Sequence, residues 1–78
     1  MEYKSMKTES LILEAMNRIE LLSKRIERHE PKAFVRKAYE DAIRALDRAI
    51  DAVRLDTDYY KYFIDLVSIK YALIRDWA

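Results

Sequence analysis

The chain has 78 residues, a formal net charge of +1, one histidine, one proline, and neither cysteine nor glycine. That length sets one domain near the lower limit for a self-sufficient core, with no disulfide and no His/Cys structural zinc site to staple it. Zero glycine excludes the phosphate-cradling loops of Walker-type and Rossmann-type nucleotide sites, and no cofactor or metal is expected.

Charged residues make up 37% of the chain, in both signs, with one Asn and no Gln. Many mixed charges and few thermolabile amides suit a protein from a thermophile. Basic and acidic residues number six and six over 1–30, six and four over 31–55, and three and four over 56–78. No segment is basic enough for an autonomous nucleic-acid binder, which must neutralise phosphates. No apolar run is long enough to span a bilayer. The opening "MEYKSMKTES" lacks the apolar core of a signal peptide, so a cytoplasmic protein is the expectation.

The first element is a helix over about 6–28. Leu11, Ile12, Ala15, Ile19, Leu22 and Ile26 recur at helical spacing and form one stripe. Leu13 and Leu21 fall off that stripe and, with Met6, make a thinner apolar ridge. His29, at the helix end beside Arg25 and Arg28, reads as a turn residue facing the helix C-terminus rather than as a catalytic base. With no glycine available, His29 or Glu30 must close this helix.

The second helix spans about 31–55, with Pro31 suited to the first turn, where its missing N–H costs nothing. Two stripes run along it side by side. Ala38, Ala42, Ala45, Ala49 and Ala52 form one; Tyr39, Ile43, Leu46, Ile50 and Val53 form the other. The small stripe lets another backbone approach closely, and the large stripe fills the space beside it. A helix with two such flanks belongs between two neighbours. Its polar face carries Arg36, Lys37, Arg44, Arg48 and Arg54 among Glu40, Asp41, Asp47 and Asp51, the pattern of a solvated, salt-bridged surface. Arg36, Lys37, Arg44 and Arg48 are the residues that would touch nucleic acid if the chain does so inside a larger complex.

The third helix covers about 58–77, after a break at "LDTD", where Asp56, Thr57 and Asp58 suit an N-cap. Asp56, Asp58 and Tyr60 share the opening spacing of a calcium loop, but the loop glycine and closing Glu are missing. Capping is therefore the better reading. At ~100° per residue the apolar arc of this helix spans roughly 220°, well beyond what one surface helix buries. Tyr59, Tyr62 and Phe63 point toward the bundle, while Tyr60, Ile64, Val67 and Tyr71 form a ladder along one edge. Lys70 stands in the middle of the arc. Such a lysine can snorkel or pair with an acid in the same chain, pair across an interface, or act as a depressed-pKa base.

Short connections between neighbours give an all-α, antiparallel three-helix bundle of one domain, 1–78, with the second helix central. An empty catalytic inventory beside a surplus apolar arc points to a small, non-catalytic accessory or adaptor subunit. It would bind a protein partner, or associate as a homo-oligomer, through Tyr60, Ile64, Val67, Tyr71, Leu13 and Leu21, since tyrosine is enriched at interface cores. The alternative is an accessory of a nucleic-acid-processing complex. The third reading is a helical enzyme assembled around Lys70 at an oligomer interface. No small-molecule ligand and no membrane contact are expected.

Overall fold

The structure is a computed structural model that describes the backbone of residues 2–77 and the side chains of residues 7–77. Met6 of the apolar ridge therefore lies outside the described side chains. Three α-helices follow one another: α1, Glu2–Glu27; α2, Lys32–Arg54; and α3, Phe63–Trp77, which is entered through a single 3₁₀ turn at Tyr60–Tyr62. There is no strand among the described residues. No helix is long and apolar enough to cross a membrane among those residues.

α2 lies between the other two helices. Its alanine flank meets α1, as Ala38 sits with Leu21 and Arg25 around one small cleft. Its large flank meets α3, where Ile50 lies beside Val67 and Tyr71, and Tyr39 stacks on Trp77 with ring centroids 4.6 Å apart and planes 10° from parallel. The core follows from this arrangement: Ala15, Ala45, Leu46, Ala49, Val53 and Leu66 form one buried cluster. Leu46 and Val53 are its largest fully buried side chains, and each contributes roughly 1.5–3 kcal/mol on burial. Alanine brings backbones together. Accordingly, close Cα approach is far more extensive between α1 and α2 than between α2 and α3. Among the described residues, no Cα of α1 comes within 8 Å of α3.

The first turn closes without glycine. His29 takes φ 54°, the left-handed region. Its N–H donates to the Ile26 carbonyl at 3.0 Å, and the Glu30 N–H donates to the Arg25 carbonyl at 3.1 Å. These two bonds satisfy the last carbonyls of α1 in a Schellman arrangement. The Arg25 guanidinium then clips the turn by bonding the Glu30 carboxylate at 3.1 Å.

Three boundaries differ from the periodicity. α1 starts at Glu2 rather than near residue 6, because Glu, Lys and Met propagate a helix without needing an apolar stripe. Pro31 is not inside the first turn of α2 but caps it from outside, with φ −52° and ψ 144°; its carbonyl accepts from the N–H groups of Phe34 and Val35. α3 begins at Phe63, five residues later than the expected 58. Asp56 holds the chain in a turn first: its Oδ1 accepts the Asp58 N–H at 3.0 Å, and its carbonyl accepts the Tyr59 N–H at 3.1 Å. A side chain that bonds the backbone two residues on competes with helix start. Asp56 is thus a turn-former rather than the cap of α3.

The stabilities of three variants check this account. His29→Gly should stabilise the chain by about 1 kcal/mol in urea unfolding, because a left-handed non-glycine residue costs roughly that much. Ala45→Leu should destabilise it by about 1–3 kcal/mol or more, since it wedges α1 from α2. By contrast, Ile50→Leu on the other flank should cost less than about 1.5 kcal/mol.

Candidate functional site, an apolar groove between the first and third helices

α1 and α3 both pack on α2 with no Cα–Cα approach within 8 Å of each other among the described residues, and a groove of about 630 Å³ opens between them. Glu9, Ile12, Leu13 and Met16 line it from α1; Tyr59, Tyr62, Asp65, Leu66, Ser68 and Ile69 line it from the α3 side. The α1 residues are spaced i, i+3, i+4, i+7, so they share one helical face. Leu66 is buried at the floor, while Leu13, Met16 and Tyr62 are 58%, 44% and 40% exposed along the walls. These are large apolar side chains in one continuous depression, unlike the singly scattered ones any surface carries.

One end of the groove is polar. The Tyr59 hydroxyl bonds the Glu9 carboxylate, linking α1 to the segment before α3. Partial burial and then the Glu9 charge push the Tyr59 phenol above its ordinary value of 10.0. Asp56 Oδ2, buried nearby in the turn, has no hydrogen-bond donor among the described residues.

The edge ladder lies on the other side of α3. Tyr60, Ile64 and Tyr71 are more than half exposed, and Val67 is half-buried against α2. Tyr60 stacks on Phe63 at 5.5 Å, so its ring packs on its own helix. The α1 ridge divides: Leu13 belongs to the groove, while Leu21 lines the cleft between α1 and α2 with Phe34 and Ala38. The groove therefore gathers Leu13 with residues that helical periodicity assigns to the interior stripe, Ile12 and Tyr62 among them. It leaves the ladder separate.

Lys70 reaches across to α2, where its Nζ lies 2.6 Å from Asp47 Oδ1. It also sits 5.9 Å from the centre of the Tyr71 ring. The bond to Asp47 raises the Lys70 pKa above 10.5, outweighing the opposing effect of burial. A catalytic lysine needs the opposite shift. On the polar face of α2, Arg36 pairs with Glu40, while Lys37 and Arg44 both reach Asp41. Arg48, which has no carboxylate partner among the described residues, is exposed among these pairs. Most of the positive charge on this face is thus answered within the chain. No group of three or more His, Cys, Asp or Glu side chains is placed to hold a metal ion among the described residues.

No protein-family model matches the chain, and no curated protein and no solved structure shows significant similarity to it.

The Lys70 and Tyr59 shifts have the same sign. A pKa raised on folding adds stability that is complete below the unfolded value and is lost as pH climbs through the folded one. Stability should therefore hold from neutral pH to about 10 and fall beyond it. A double-mutant cycle on Asp47→Asn and Lys70→Gln should give a coupling of about 0.2–1 kcal/mol at neutral pH, the range for a partly exposed pair. That coupling should fade as Lys70 deprotonates.

Proposed function

We propose that the protein is a small, non-catalytic accessory or adaptor subunit that seats a helix of a larger protein partner in the groove between α1 and α3. The observation that carries this reading is the groove itself: Leu13, Met16 and Tyr62 stay open to solvent along a largely apolar surface. Such a surface fits the helix-in-groove mode, in which anchors at i, i+3, i+4 and i+7 fill one trough. Its dimensions agree. The α1 wall from Glu9 to Met16 is helical throughout and extends about 10 Å at 1.5 Å per residue, so about two turns of a partner helix span it. Tyrosine supplies rigid contact area, and Met16 adapts to the partner's shape.

Support also comes from what the rest of the surface does with its charges. Lys70 is held by Asp47, and Lys37 and Arg44 by Asp41. A protein-binding role uses the apolar surface that these pairs leave alone.

A photo-crosslinking amino acid placed at Tyr62, with Tyr71 as the control position, tests the reading in the cells that make the protein. The expected result is an adduct to a larger protein from position 62, lost when Leu13→Asp is added. Because Leu13 is mostly exposed, that substitution should change stability by only about 0.5 kcal/mol. Adducts solely to second copies of the chain, or adducts from position 71 but none from position 62, would overturn it.

A further inference from the structure

The groove has a charge signature as well as a shape. Among the described residues, its charged lining side chains are Glu9 on the α1 wall and Asp65 on the α3 side. Neither forms an ion pair among the described residues. Neighbouring carboxylates do: Glu14 takes Arg18 at 3.0 Å, and Asp47 takes Lys70. Among the described residues Glu9 meets the neutral Tyr59 hydroxyl. A helix lying in the trough thus passes a carboxylate on either side, and neither meets a cation among the described residues.

From this we infer that the occupant is a basic amphipathic helix, with an apolar stripe for the floor and Lys or Arg on both flanks to meet Glu9 and Asp65. The inference rests on the proposed helix-docking role and adds the chemistry of the partner. Covering the two carboxylates with an apolar or acidic segment would strip their water and return nothing, whereas flanking cations offset that loss. The same reasoning disfavours a second copy of the chain docked groove to groove. In an isologous contact each patch meets itself, which would bring Glu9 and Asp65 against Glu9 and Asp65. The net charge of the chain is only +1, so overall charge does not draw a cationic segment to it. Any preference must come from these local groups.

Two synthetic 12-residue helical peptides form the probe, identical in their Leu/Ile stripe and differing only in Lys or Glu at the flanking positions. Binding is followed by amide and methyl NMR shifts on the full chain. The Lys-flanked peptide should shift Ile12, Leu13, Met16 and Ile69 and bind about tenfold more tightly than the Glu-flanked one at low salt, as expected for two rim charge pairs. Glu9→Gln plus Asp65→Asn should erase the difference, and Asp65→Lys should turn the preference toward the Glu-flanked peptide. Thermal melts confirm that each variant is folded. Equal binding of both peptides in the groove would overturn the basic-helix inference and leave the helix-docking role standing. Failure of both peptides at about 1 mM, or shifts confined to Tyr60, Ile64 and Tyr71, would overturn both.

Discussion

The alanine flank of α2 is the constraint on which the rest of the molecule depends. Ala38, Ala42, Ala45 and Ala49 are all buried, and they allow α1 to lie close against α2. A chain of this size has little core to spend, with no cysteine to cross-link it. Close backbone approach compensates, because dispersion grows with the number of atoms in contact. The other flank carries Leu46, Ile50 and Val53, so α3 must stand further out. One helix thus sets two different spacings on its two sides.

The groove follows from that asymmetry. With α1 drawn in and α3 held off, no Cα of one outer helix comes within 8 Å of the other among the described residues, and Leu13, Met16 and Tyr62 beside the gap remain exposed. Specific contacts fix α3 in its position. Tyr39 stacks on Trp77 at its far end, and Lys70 bonds Asp47 in its middle. At its near end the Tyr59 hydroxyl reaches Glu9. These contacts hold the walls apart as well as holding the helices together. A trough that exists before its occupant arrives saves the partner the cost of ordering it.

Much of the architecture was legible in the sequence. The paired stripes of α2 imply its central place, and the absence of glycine leaves the first turn to His29 or Glu30, of which His29 takes the left-handed conformation. The start of α3 was less legible. Asp56, Thr57 and Asp58 all read as caps, and only the backbone shows that Asp56 instead holds a turn that delays the helix. The groove was only half legible. The roughly 220° apolar arc of α3 correctly marks more surface than a single neighbour can bury. Periodicity, however, gives the direction of a side chain on its own helix and says nothing about whether the opposite helix is within reach. Ile12, Tyr59 and Tyr62 therefore read as interior. The off-stripe position of Leu13 was the one local signal on α1 that belonged to the groove. Lys70 shows the reverse case. Its place in the arc is anomalous by sequence, and the anomaly resolves through Asp47, a residue 23 positions away that no local pattern connects to it.

The central claim is that α2 keeps α1 and α3 apart and leaves an open apolar trough between them. Solvent paramagnetic relaxation of the methyl groups in the isolated chain tests it most directly. The account predicts strong relaxation at Leu13 and Met16, weaker relaxation at Ile12 and Ile69, and protection at Leu46 and Val53. Protection of Leu13 and Met16 equal to that of Leu46 would mean that the trough is closed or occupied by the chain itself, and would contradict the account.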